Sequence, residues 1–262
     1  MSEAQKADAG MAAAKGEYFS FVDGDDYIEP EMIAGLWQAL AKQGDRLAIC
    51  GFRKVTEEGE LLRKTEMRFP DRMTEDEFWY QLFFPYRELG TVAWNKLYHR
   101  SLLEGLAFPV GRIHEDEWLV HRYIQRVGHI AVAKKCLYDY VARKGSITAQ
   151  PLTPRSLSIL DALSRRTAYF METGKQRAVV LSMRNYARYV IFFQDDWRKE
   201  KQYAAEKNRI REDFRGEMRR YRAVAPAVDY AYWVCALHAP GLMRQVIRRS
   251  EARKKTRAAA QA

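Results

Sequence analysis

The sequence predicts an α/β layer fold over its first 150 residues and an all-helical segment behind it. Short aromatic and β-branched runs alternate with helix-period stretches as far as Tyr140, as strands and helices do in a layered sheet. From Thr153 helical periodicity dominates and turn signals thin out. The charge divides there too. From Pro151 onward 24 basic and 11 acidic residues give +13, while 20 and 23 in front give −3. We therefore expect two domains, 1–150 and 151–262.

Residues 3–15 are Ala-rich and end at Gly16, which predicts a helix with a left-handed cap position behind it. Glu17–Val22 is an apolar, β-prone run and predicts a buried strand that stops at Asp23-Gly24-Asp25-Asp26. Pro30 suits a first helical turn, and Met32, Ile33, Leu36, Trp37 and Leu40 recur at helical spacing. The acidic cluster thus falls on a strand-to-helix loop. Leu47–Phe52 predicts a second strand. Thr74 and Glu77 form a capping box at the head of a helix to Phe84. Val92–Tyr98 predicts a strand, Glu115–Val127 a helix, and His129–Tyr140 one or two further strands. Behind them helices are expected near 155–172, 176–198, 201–222 and 227–249, with breaks at Gly174, Pro226 and Pro240-Gly241 and a frayed tail from Arg253.

Composition removes several classes. With 262 residues, 47% hydrophobic and 30% charged, the chain can bury a full core and is not of the disordered type. Cys50, Cys136 and Cys235 are widely spaced and odd in number, against a disulfide framework or a zinc ribbon and in keeping with a reducing cytoplasm. No apolar run reaches membrane-span length, and Met1–Lys15 lacks a secretory signal's apolar stretch and cleavage site.

Asp23-Gly24-Asp25 can hold a hard divalent cation through oxygen at the carboxyl end of a strand, where α/β sheets bind ligands; it can equally be a plain Asx turn. An EF-hand starting at Asp23 fails, because Ile28 and Ala34 stand where Gly and Glu are needed. Asp26 and Tyr27 after the second aspartate also disfavour an aspartyl phosphatase.

A longer string, Ala14-Lys15-Gly16-Glu17-Tyr18-Phe19-Ser20-Phe21-Val22-Asp23-Gly24-Asp25-Asp26-Tyr27-Ile28, closely resembles the metal-loop segment of family 2, GT-A-type glycosyltransferases of bacterial surface polysaccharides. Two further blocks follow in the family's order: Trp94-Asn95-Lys96-Leu97-Tyr98 with Phe108-Pro109 and Ile113-His114-Glu115-Asp116-Glu117, then Tyr138-Asp139-Tyr140, Arg143 and Gly145-Ser146-Ile147-Thr148. The resemblance implies a GT-A-like (Rossmann-like) mixed sheet with an α-helical C-terminal domain. It also implies an N-terminally truncated fold, since the family's nucleotide-base segment has no counterpart here, and hence weak binding of nucleotide-sugar by this chain, or none.

What the resemblance implies in function is sugar transfer from a nucleotide-diphosphate sugar to the hydroxyl of a saccharide or lipid-linked acceptor, inverting and dependent on Mn²⁺ or Mg²⁺. Asp25, supported by Asp23, would hold the metal at the donor phosphates. Asp116 would be the general base. Neighbouring Glu115 and Glu117 would raise its proton affinity by like-charge repulsion and a helix N-terminus would lower it, so the net direction stays open. Arg143 and Ser146 would close over phosphates. Trp94, Lys96 and Glu115 would contact acceptor or back up the site, although Lys96 also reads as an ordinary strand residue with a snorkelling stem. The histidines show no ligand spacing.

In the rear half, Tyr230, Trp233, Leu237, Leu242 and Val246 share a stretch with Arg244, Arg248, Arg249 and Lys254. That mixture suits an interfacial helix on anionic lipid, so that a protein of the reducing cytoplasm could lie peripherally on the inner face of the membrane; the alternative is that Trp233 and its neighbours pack against the catalytic domain. No nucleic-acid motif is present, and nucleic acid is not an expected partner. The competing reading is a non-catalytic membrane- or partner-binding module derived from a truncated glycosyltransferase.

Overall fold

The computed structural model describes residues 2–67, 69–83, 87–143 and 151–259. The chain forms two compact units, Met1–Pro151 and Leu152–Ala262.

Helix α1 (Glu3–Ala13) starts at a capping box in which Ser2 and Gln5 satisfy each other's backbone N–H groups. Strand β1 (Tyr18–Phe19) follows, shorter than the run Glu17–Val22 suggests. The reason lies far off in sequence: Ser20 Oγ donates to the Lys96 carbonyl at 3.0 Å, so a side chain replaces the next ladder contact. The acidic loop then leads into β2 (Tyr27–Ile28) and α2 (Met32–Gln43). Met32, Leu36 and Leu40 are buried at helical spacing, and Gly44 takes φ 67° to end the helix.

Strand β3 (Leu47–Val55) is apolar through most of its length, as befits a strand covered on both faces. It pairs in parallel with β7 (His129–Val141), the longest strand. Between them come β4 (Leu61–Thr65), β5 (Arg72–Thr74), α3 (Glu75–Phe83), α4 (Arg87–Thr91), β6 (Lys96–His99) and α5 (Glu115–Ile124). The sheet runs β1-β6-β3-β7-β2, with β4 beside β3 and β5 beside β7; every pairing except β3 with β7 is antiparallel. It is a mixed sheet with helices, as expected. Strands β4 and β5 have no counterpart in the sequence reading: β4 is largely exposed and shows no alternation. Thr74 and Glu77 form the capping box of α3, with Glu77 Oε2 accepting from the Thr74 N–H at 2.7 Å.

The second unit is helical: α6 (Ser158–Glu172), α7 (Gln176–Asp196), α8 (Ala204–Arg220), α9 (Ala227–His238) and α10 (Pro240–Ala259). Helix α7 packs against the other four. Tyr186 stacks on Phe214 at 5.5 Å, and Thr167 and Ser182 share a buried hydrogen bond of 2.6 Å between α6 and α7. Trp233 is fully buried in this unit, whereas Leu242 and Val246 are exposed, so only part of the stretch read as interfacial faces solvent. Helix α10 continues to Ala259, past the point where fraying was expected. Among the described residues no helix is long and apolar enough to cross a membrane.

Candidate active site

The acidic loop is a tight turn whose first and last aspartates differ in job. The Asp26 N–H donates to the Asp23 carbonyl at 3.1 Å, closing the turn. Asp26 faces inward: its Oδ1 accepts from the Val141 N–H at 2.9 Å and its Oδ2 from the Tyr138 hydroxyl at 2.8 Å. Burial raises its proton affinity, and these two hydrogen bonds counter that. Tyr138 Oη in turn accepts from the Asp23 N–H at 3.1 Å. Asp26 and Tyr138 therefore fasten the loop to β7, while Asp23 and Asp25 carry exposed carboxylates. In the sequence the one signal for Asp26 as an anchor is its place next to Asp23-Gly24-Asp25.

Tyr138 also joins the loop to the second sequence block. Trp94 lies stacked on it, ring centroids 4.2 Å apart, with Tyr140 stacked at 6.0 Å and Phe52 meeting the indole edge-on at 5.1 Å. Trp94 is buried and forms a wall under the loop. Next to it, Asn95 Nδ2 donates to the Cys50 carbonyl at 2.8 Å, which locks the start of β6 onto β3.

Lys96 does not snorkel: it is 0% exposed. Its ammonium donates to the Leu89 carbonyl at 3.0 Å, to the Val92 carbonyl, and to Asn95 Oδ1 at 2.7 Å. Those carbonyls lie in and just after α4, where a helix end leaves acceptors free for a cation. The same contacts explain why the predicted strand Val92–Tyr98 begins only at Lys96. Burial pulls the Lys96 pKa down to about 7, and the attraction of Asp116 opposes that fall.

Asp116 sits in the first turn of α5 behind His114, the sole non-glycine residue at positive φ (61°) among the described residues. Its Oδ2 accepts from the Ala93 N–H at 3.3 Å, tying it to the residue before Trp94. Burial pushes its pKa up to about 7; the charge of Glu115 adds to the rise, Lys96 opposes it, and Asp23 adds to it again. The competition left open by the sequence is thus won by burial and carboxylate repulsion over the helix N-terminus. Asp116 is linked to the acidic loop through Ala93, its neighbour Trp94 and the Tyr138 on which Trp94 stacks. Arg143 approaches from the end of β7. It donates from Nη2 to the Asp25 carbonyl at 3.1 Å, and its Nε stands 3.9 Å from Asp25 Oδ2 and 3.8 Å from Glu57 Oε1. Ser146, with the rest of Gly145–Thr148, lies outside the described residues.

Among the described residues no group of three or more His, Cys, Asp and Glu side chains gathers to hold an ion. Two exposed carboxylates, Asp23 and Asp25, are hard oxygen donors on a short loop. That set fits Mg²⁺ or Mn²⁺, which accept one or two carboxylates and complete their shell with phosphate oxygens and water.

Residues 4–106 match the family model described as Glycosyl transferase family 2. The chain is 23% identical to glycosyltransferase GlyA of Streptococcus pneumoniae over 65% of its own length and 26% of that protein's, and 27% identical to GlyG of the same organism over 55% and 50%. It thus spans between a quarter and a half of these relatives. In structure it resembles residues 1–349 of S. aureus TarS, solved in complex with UDP-GlcNAc, with a TM-score of 0.63 and 17% identity over 90% of this chain and 70% of that one. The mixed sheet with its helices is accordingly GT-A-like, and what the front unit of the chain matches in sequence, over residues 4–106, is glycosyl transferase family 2.

Proposed function

We propose that this protein transfers a sugar from a nucleotide-diphosphate sugar to an acceptor hydroxyl in cell-surface polysaccharide synthesis, with inversion at the anomeric carbon. The observation that carries the reading is the pairing of Asp116, a half-buried carboxyl whose pKa is raised to about 7, with the acidic loop whose charge it feels. A general base works best when its pKa lies near the operating pH. Ionised Asp116 accepts the acceptor's proton as that hydroxyl attacks, and the Ala93 N–H keeps the carboxylate aimed. Arg143, already on Asp25, adds positive charge where the donor's diphosphate would lie. A divalent cation held by Asp23 and Asp25 would supply neutralisation of the leaving diphosphate. The TarS complex with UDP-GlcNAc and the names of the relatives support a nucleotide-sugar donor.

The test is release of nucleoside diphosphate from a panel of nucleotide-sugars with Mn²⁺, comparing the natural chain with Asp116→Asn. Turnover lost in the variant, with its melting temperature unchanged, supports the reading. Equal turnover in both removes Asp116 from the mechanism, and a protein that only sediments with membranes or partners and never turns over donor favours the binding-module alternative.

A further inference from the structure

The helical unit contains a cavity of about 320 Å³ that the transfer reaction above does not use. Its walls come from the end of α7 (Gln194, Asp195), the following Arg198, the first half of α8 (Lys207, Arg211) and the start of α10 at Gly241. Three cationic side chains and one carboxylate therefore line it. Asp195 is already engaged, with its Oδ2 3.9 Å from Arg244 Nε, and its Oδ1 lies beside Gly241.

Gln194 is the informative residue. It is 7% exposed, and its Oε1 accepts from Arg211 Nη1 at 3.5 Å. Its Nε2, which has two N–H groups to donate, has no hydrogen-bond partner among the described residues. Buried donors in folded proteins are nearly always paired, and the cavity this amide lines is where an acceptor would sit. Lys207 is held at the wall by two of its three N–H groups, which donate to the Trp197 and Glu200 carbonyls, both at 3.0 Å. Helix α10, 20 residues long, opens at the cavity with Pro240 and Gly241, so the positive end of its dipole lies at the wall. Apart from Asp195, the charged groups that line the cavity are cations, and the amides of Gln194 and Asn208 bring N–H donors, a set that suits an anion with several acceptor oxygens.

We propose that this cavity binds a phosphate or diphosphate group, held by Gln194 Nε2, Arg198, Lys207 and Arg211 at the head of α10. The group could arrive on a soluble molecule or on an anionic lipid, and the experiment separates the two. The full chain is titrated calorimetrically with inorganic pyrophosphate in chelator-containing buffer, so that no cation can recruit pyrophosphate to Asp23 and Asp25. In parallel it is sedimented with phosphatidylcholine vesicles with and without phosphatidic acid. The variants are Arg198→Gln, at an exposed position, and Gln194→Leu, which removes the orphaned donor at similar volume; near-ultraviolet circular dichroism follows their folding.

We expect saturable binding in at least one arm, weakened roughly tenfold by each substitution, as loss of one charge-assisted or buried hydrogen bond implies. Pyrophosphate binding identifies a soluble phosphate compound; binding to phosphatidic acid vesicles alone identifies a lipid headgroup. No saturable binding in either arm, or binding that Arg198→Gln leaves unchanged, overturns the proposal. Should Gln194→Leu fail to fold, Arg211→Gln takes its place under the same criteria.

Discussion

The Tyr138 hydroxyl donates to Asp26 Oδ2 at 2.8 Å, joining the longest strand of the sheet to the acidic loop across 112 positions of sequence. The same oxygen accepts from the Asp23 N–H, so one phenol holds both ends of the turn that presents Asp23 and Asp25. Buried against Trp94, it has no freedom to offer these contacts elsewhere.

Tyr138→Phe keeps the ring stack but leaves a carboxylate oxygen and a backbone N–H without this partner. We expect a loss of about 1–3 kcal/mol in urea unfolding. The cation requirement of turnover should rise as well, because the loop is less well held. An unchanged unfolding midpoint would mean that water replaces the hydroxyl at no cost.

The pH dependence follows from Asp116. As a base it acts ionised, so kcat/KM should rise as pH climbs through about 7. Its effect on stability has the opposite sense. The native state holds this proton up to about pH 7, whereas the unfolded chain releases it near 3.8, so the contribution favours folding at low pH and is lost as pH rises through 7. Asp116→Asn should flatten that slope between pH 4 and 7 in a series of denaturant melts. Lys96→Met removes the cation that opposes the rise, and should move the acid limb of the rate profile to higher pH.

Asp23→Asn and Asp25→Asn test the cation. Each should increase the Mn²⁺ concentration for half-maximal turnover by roughly tenfold or more, since even substitutions behind a metal's ligands cost that much. Excess chelator should abolish turnover of the natural chain, and full activity in its presence would dismiss a role for the two carboxylates as metal ligands.

Gly51 crosses a crowded point of β3. A Cβ there would lie 2.5 Å from the Thr65 carbonyl oxygen and 3.0 Å from Cys136 Sγ. Gly51→Ala must displace backbone rather than a flexible side chain, and we expect a loss of about 1–3 kcal/mol, visible as a lower melting temperature. The β3–β4 pairing should loosen first in hydrogen exchange.

Much of this architecture could be read before the structure. Met32, Leu36 and Leu40 announced α2 by their spacing, Thr74 and Glu77 announced the start of α3, and the apolar run from Leu47 announced a covered strand, because each signal is local. What escaped was decided at a distance. β1 is short because Ser20 bonds to the Lys96 carbonyl, and β6 starts late because the Lys96 ammonium turns back onto the end of α4. In the candidate site, Asp23, Asp25 and Asp116 stood out as residue types in familiar blocks. The structure adds Asp26, Tyr138 and the Ala93 N–H as their supports, and these are defined only by long-range contacts.

The parallel pairing of β3 with β7 has a consequence for biosynthesis. Nearly half of the front unit, residues 56–128, separates these strands along the chain. A nascent polypeptide emerging from the ribosome must keep the apolar stretch around Ile49 shielded until residues 129–141 have been made. Premature stalling anywhere between them would leave a sticky, half-built sheet, the state that chaperones exist to guard.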